Sequence, residues 1–275
     1  ANFGLELLPL VLLVNILKYP FFEIGHRYTS ATGESLLSGY YRLGPNYLRL
    51  FLVLNLFSAF VTTAGVVFVT ASLGAALVNS HQIFNASIAI ILICVSLLFK
   101  GSYRGLDQAI KVVMAVLLVT TITTLILAID AGGTRVWVSP EVSPWSLASL
   151  PFLLALMGWM PAPIEVSVWQ SVWLLKRDED SGRRTKPYEA RLDFNFGYGV
   201  TTLLALAFLA LGAYVMFGVS SSFPSSGVGF AKTFIHMYTE HLGKWLYPLI
   251  AVAAFTAMFS TSVTVIDAYP RSIAD

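Results

Sequence analysis

The sequence specifies an all-α polytopic membrane protein, and composition, segment length and loop charge each point to it separately. Of 275 residues, 56% are apolar and only 12% are charged, against about 25% charged in soluble domains. Mean hydropathy is +0.73. A water-soluble fold of this size could not cover its surface with so few charges, whereas hydrocarbon as solvent lets outward faces be apolar. Seven stretches approach or exceed the roughly 20 apolar residues that a spanning helix needs: 3–22, 48–78, 83–99, 110–130, 146–175, 194–218 and 245–268. The short alternating segments of a membrane barrel are absent.

Loop charge orders these segments. Lys18, Arg27, Arg42 and Arg49 are counted with the connection between the first and second, Lys18 and Arg49 just inside the segment ends, and Lys100, Arg104 and Lys111 with the connection after the third. Lys176, Arg177, Arg183, Arg184, Lys186 and Arg191 follow the fifth, and Arg271 follows the seventh. The alternate connections hold no basic residue after the second segment, Arg135 after the fourth, and Lys232 and Lys244 after the sixth. The positive-inside rule then places the visible N-terminus outside and the C-terminus in the cytoplasm. Residues 176–193 mix these cations with Asp178, Glu179, Asp180, Glu189 and Asp193, the composition of a solvated linker. The Ser/Gly-rich run 218–229 reads as an external loop.

Several function classes fall away. A net charge of +2 supplies no basic field for nucleic acid. Cys94 is a lone cysteine and forms no internal disulfide framework. His26, His81, His236 and His241 are expected in loops or near interfaces, without metal spacing to another ligand residue, and no triad, zinc-protease motif or phosphate loop is present. The chain is therefore not expected to be an enzyme.

The fifth segment carries the chemistry. Within Ala155–Glu165 (Ala-Leu-Met-Gly-Trp-Met-Pro-Ala-Pro-Ile-Glu), Pro161 and Pro163 lack amide donors and disfavour helix in the residues before them. Gly158 adds backbone freedom. A helix break is predicted near 157–163, close to mid-membrane, where irregular backbone persists only when it lines a cavity or is buried in protein. Carbonyls freed at such a break can bind a cation, and the new helix N-terminus presents amides. A plain proline kink is the competing reading.

Met160 sits at the break, and its thioether is a soft ligand suited to later transition metals; simple packing is the alternative. Met157, one turn earlier, can offer a sulfur or a carbonyl. Glu165, expected about one turn into the second half-helix, is a carboxylate in the membrane interior and so a functional candidate, as metal ligand, proton acceptor or partner for a cation. Ser167 follows it. The second segment is free of charge between Phe51 and Asn79, with Asn55, Thr62 and Thr70 among its polar residues. In the seventh segment Ser260, Thr261 and Thr264 either line a cation path or bond back to their own helix. Asp267–Arg271 is expected to close that segment.

Together these residues resemble the Nramp divalent-metal transporters over nearly the whole chain. Tyr103–Lys111 (Tyr-Arg-Gly-Leu-Asp-Gln-Ala-Ile-Lys) looks like the signature before the family's fifth helix, and Met160-Pro161 matches its sixth-helix break. Glu189–Tyr198 is similar to the start of its seventh helix, and Tyr238 through Arg271 to its eighth. The resemblance implies a LeuT-like fold of two inverted five-helix repeats with broken first and sixth helices. On that basis residues 1–275 form one transmembrane transporter domain holding the family's second to eighth helices. The first helix, with its Asp-Pro-Gly-Asn metal motif, and the helices after the eighth have no counterpart here. Three departures stand out. Family members place His after Met-Pro, where this chain has Ala162; a second family His corresponds to Ser167; and the third helix's acidic proton-path residues find only neutral residues between Phe51 and Val78. The chain thus resembles a divergent branch, and the departures argue against standard proton coupling.

The expected function is alternating-access transport of a divalent transition metal such as Mn²⁺ or Fe²⁺. Met160, Met157 and Glu165 would be at the metal, and Gly158, Pro161, Ser167, Asn55, Ser260, Thr261 and Thr264 along the path. The metal is substrate, no further cofactor is implied, and the partners are that cation and membrane lipid in a prokaryotic inner membrane. The alternatives are an organic-solute/Na⁺ symporter of the same fold and a metal-sensing membrane protein without turnover.

Overall fold

The structure is a computed structural model that describes residues 3–80, 82–100, 103–130, 143–217 and 226–274. Every regular element among them is helical. They are α1 (Leu8–Thr32), α2 (Leu36–Leu43), α3 (Pro45–Leu77), α4 (Ile83–Lys100), α5 (Tyr103–Asp130), α6 (Leu150–Trp159), α7 (Val166–Ser181), α8 (Pro187–Met216), α9 (Gly227–Leu242) and α10 (Tyr247–Ala274). Four stretches are long and apolar enough to cross a membrane: Leu8–Thr32, Pro45–Leu77, Pro187–Val215 and Lys244–Ala274. The other three expected segments contain shorter apolar helices, Ile83–Phe99, Met114–Asp130 and Leu147–Trp159. Large apolar side chains point outward, Phe57 and Phe60 among them at 72% and 73% exposure. That suits lipid and not water.

Helix ends depart from the expected segments for identifiable reasons. The first expected segment stops at residue 22, yet α1 runs on to Thr32. Buried Glu23 pairs with Arg27 one turn later at 3.4 Å, so the charges that end the apolar stretch do not end the helix. Gly33, at φ +78°, closes α1 by donating its N–H to the Thr29 carbonyl. Likewise α10 passes through Pro270 to Ala274 and is not closed at 267–271. Residues 226–242 hold an unexpected helix, α9, whose N-cap Ser226 accepts from the Gly229 N–H at 3.1 Å. The rest of the expected Ser/Gly-rich loop, 218–225, lies outside the described residues, as do His81 and Arg135. His26 belongs to α1, and His236 and His241 to α9, rather than to loops.

The chain divides into two compact units that interleave along the sequence. One comprises residues 1–2, 58–138 and 210–267. Its core joins Leu73, Ala75 and Ala76 of α3, Ala128 of α5, Leu211 of α8, Ile235 and Tyr238 of α9, and Ile250, Ala251 and Ala254 of α10. Small residues bring these backbones close: a Cβ on Gly74 would lie 3.0 Å from the Phe255 ring. The hydroxyls of Thr70 and Ser262 meet at 2.8 Å between α3 and α10.

The second unit comprises residues 3–57, 139–209 and 268–275. In it α1 lies along α7. Lys18, Phe22, Gly25 and Thr29 recur at i, i+4, i+7 and i+11 and so form one stripe of α1. Gly25 touches the Ser167 backbone; a Cβ there would be 3.1 Å from the carbonyl carbon and nearer still to its oxygen. Leu36 and Leu37 of α2 pack on Val168. Tyr198 of α8 donates to the Asn15 carbonyl at 2.6 Å, and Thr202 donates to Asn15 Oδ1 at 3.1 Å.

Candidate site at the interrupted helix

α6 ends at Trp159 and α7 begins at Val166. Met160 is extended (φ −94°, ψ 127°), and residues 160–165 are not helical. The prolines account for this: Pro161 and Pro163 remove two donors in the space of three residues, and each pushes the residue before it toward extended backbone. New backbone bonds restart the helix, from the Val166 N–H to Pro163 O at 3.1 Å and from the Ser167 N–H to Ile164 O at 3.2 Å. The predicted break is therefore a true interruption and not a kink.

In a continuous helix the Gly158 carbonyl would accept from residue 162. Here it accepts from the Lys18 ammonium at 2.8 Å. The same Nζ donates to the Ala162 carbonyl at 3.2 Å, so one cation ties the end of α6 to the non-helical segment. Lys18 stands near the middle of the 25-residue α1 and reaches the break from the stripe that Gly25 seats on α7. Glu165 attracts the ammonium through space, while its Oε1 accepts from the Tyr269 hydroxyl at 3.0 Å. Glu165 is not one turn inside the second half-helix: it is the residue that precedes α7, and its side chain forms no capping bond.

The other candidates have the following places. Met160 is half-buried against Leu7, Leu10, Val14 and Leu153. Met157 is on α6 and 37% exposed. Gly158 has open space where a Cβ would be. Buried Ser167 donates to the Ile164 carbonyl at 2.8 Å and helps to start α7. Asn55, 2% exposed, donates to Ser272 at 3.0 Å. Ser260 and Thr261, which belong to the other unit, return their hydroxyls to the Ala257 carbonyl at 2.8 and 3.0 Å. Thr264 is partly buried in α10. The interruption thus gathers Gly158, Pro161, Ala162 and Glu165 with Lys18.

Behind the interruption is a cavity of about 270 Å³. Its walls include Pro161 and Ala162, Val166 and Gln170 of α7, Phe22 and His26 of α1, and Asp193, Phe194 and Tyr198 of α8. Two buried atoms on these walls, His26 Nδ1 and Gln170 Oε1, have no hydrogen-bond partner among the described residues. The His26 ring packs edge-on to Phe194 at 5.4 Å. Among the described residues no three His, Cys, Asp or Glu side chains gather as metal ligands; the acceptors that Lys18 meets at the break are main-chain carbonyls.

Sequence reasoning missed Lys18, which it counted as a loop cation. The signal was available: Lys18 falls inside the apolar stretch 3–22, and the rule that singled out Glu165 applies to it equally.

Two comparisons bear on identity. A Pasteurella multocida (strain Pm70) protein, PM0681, is 40% identical over 277 aligned positions, which cover 99% of this chain. The chain spans 63% of that relative's length. Residues 1–269 match the family model described as Natural resistance-associated macrophage protein-like, and the chain accordingly belongs to the Nramp family.

Proposed function

We propose that the chain is part of a secondary transporter that moves divalent transition-metal cations of the Mn²⁺/Fe²⁺ kind by alternating access. The observation that carries this reading is the pair of carbonyls at the interruption, Gly158 and Ala162, that together accept from a cation. Main-chain oxygens freed in a low-dielectric setting replace the hydration shell of an ion, and a cationic group already rests on them here. Met160 is the soft ligand, Met157 adds its carbonyl or sulfur, and Glu165 supplies negative charge. Asn55, Ser167, Ser260, Thr261 and Thr264 supply polar groups along the path. On this reading all seven apolar segments span the bilayer, as the second to eighth helices of a LeuT-like inverted-repeat fold. The membrane is a prokaryotic inner membrane, with residue 1 outside and residue 275 in the cytoplasm.

The test is uptake of Mn²⁺ and Fe²⁺ into proteoliposomes containing the full-length protein. The wild type takes up metal, and Met160→Ala lowers flux at least tenfold. Undiminished flux in Met160→Ala removes Met160 from the site, and no metal flux in the wild type removes the reading.

Lys18 favours a second reading. An ammonium at the break is also a partner for a carboxylate, as an amino acid-like solute would need in a Na⁺ symporter of the same fold. That reading requires Na⁺-dependent solute uptake that Mn²⁺ does not inhibit.

A further inference from the structure

We propose that Lys18 is the resident cation of the interruption, a tethered ammonium that any transported cation must displace from the Gly158 and Ala162 carbonyls. The inference rests on the cation-transport reading above and adds to it the residue that sets the site's affinity.

Three observations converge on Lys18. Its Nζ makes hydrogen bonds of 2.8 and 3.2 Å to the carbonyls of Gly158, at the end of α6, and Ala162, within the break. Among the described residues no side-chain carboxylate accepts from it; its acceptors are two of the oxygens that the break leaves without helical partners. The stem that delivers it is held in place, since Gly25, two turns along the same face, is in backbone contact with Ser167. A lysine in the middle of a spanning helix is costly unless its charge has a specific place to rest, and the two carbonyls are that place. A primary ammonium and a desolvated metal ion both seek the same ligand, an oxygen dipole without a proton. They are alternatives at one position and not neighbours. Lys18 has, moreover, four methylene groups and can swing its ammonium away without moving α1, so displacement needs no backbone rearrangement.

Consequences follow for selectivity. A weakly binding cation cannot dislodge the ammonium, so Lys18 raises the threshold for occupancy. Between turnovers the ammonium returns and keeps the break's oxygens paired while the site is otherwise vacant.

The experiment uses the purified full-length protein and three variants: Lys18→Met, Lys18→Ala and, as a charge-retaining control, Lys18→Arg. Calorimetric titration with Mn²⁺ is expected to give at least tenfold tighter binding to Lys18→Met than to the wild type, with no tightening in Lys18→Arg. Ethylammonium is expected to stabilise Lys18→Ala saturably in thermal melts, to leave the wild type unchanged, and to compete with Mn²⁺ for the variant. Mn²⁺ affinity in Lys18→Met equal to or weaker than wild type overturns the inference. Ethylammonium stabilisation of Lys18→Ala with no Mn²⁺ binding to any protein overturns the metal reading and still supports the resident cation. A third measurement needs no variant. In the wild type, saturating Mn²⁺ is expected to raise the labelling of Lys18 by an amine-reactive reagent, read by mass spectrometry, and unchanged labelling counts against displacement.

Discussion

Gly25→Ala adds one methyl group to the contact between α1 and α7. The new Cβ would stand 3.1 Å from the Ser167 carbonyl carbon, 3.4 Å from its Cα and nearer still to its oxygen. All three are backbone atoms of a buried residue, so no rotamer change relieves the clash, and the two helices must separate locally by on the order of 1 Å. A gap of that size forfeits about a quarter to a half of the dispersion energy of each contact it opens. Insertion of a methyl into a well-packed interface costs about 1–3 kcal/mol. At about 2–4 °C per kcal/mol for a domain approaching this size, the expected loss in Tm is about 2–12 °C. Thermal unfolding of the detergent-solubilised full-length protein, followed by tryptophan fluorescence, reads this loss. Gly158→Ala is the control, since a Cβ there meets nothing within 4 Å; its Tm should stay within about 2 °C of wild type. A wild-type Tm in Gly25→Ala would mean that α1 does not lie on α7 as described, and the delivery of Lys18 to the break would lose its support.

Two further predictions concern a buried and an exposed contact. In a double-mutant cycle, Thr70→Val and Ser262→Ala should couple by about 0.6 kcal/mol and at most about 1.7, because their hydroxyls meet at 2.8 Å; strict additivity in melts would show that this bond contributes nothing. At the surface, the Arg183 guanidinium bonded to Glu189 holds that carboxyl below its ordinary value of 4.5. A carboxyl whose folded pKa is depressed contributes stability that is present above the unfolded value and lost as pH falls through the folded one. Unfolding midpoints of wild type and Arg183→Gln should therefore differ most near neutrality and converge below pH 4.5. The difference should shrink in high salt; a gap that grows on acidification would contradict the pairing.

How much was legible in the sequence depended on whether a residue acts alone or through a distant partner. The interruption was legible because Pro161 and Pro163 act through their own covalent geometry; the observed gap, 160–165, overlaps the expected 157–163. Four of the apolar segments were legible as helices long and apolar enough to cross a membrane because hydropathy is additive along a chain. The length of α1 was not, since it depends on Glu23 finding Arg27. Nor was α9, whose N-cap is one serine in a run of similar residues. Lys18 was visible as a charge but not as a ligand of the break, because Gly158 and Ala162 lie 140 and 144 positions away in sequence. Asn55 and Ser272, 217 positions apart, met for the same reason and were equally unforeseeable as a pair.

The magnitude of the charges at the interruption makes Lys18 and a metal ion exclusive. Two unit charges 4 Å apart interact by about 4 kcal/mol at an effective dielectric of 20, so a divalent ion beside an ammonium costs about twice that, on the order of 8 kcal/mol. Glu165 cannot cancel this: it is one negative charge facing what would be three positive ones, and its Oε1 already accepts from Tyr269. The remaining oxygens are neutral dipoles and carry no net charge to offset it. A penalty of that size corresponds to more than five orders of magnitude in affinity at about 1.4 kcal/mol per decade, far beyond what one soft sulfur at Met160 or Met157 restores. Occupancy by a divalent ion therefore requires the ammonium to leave.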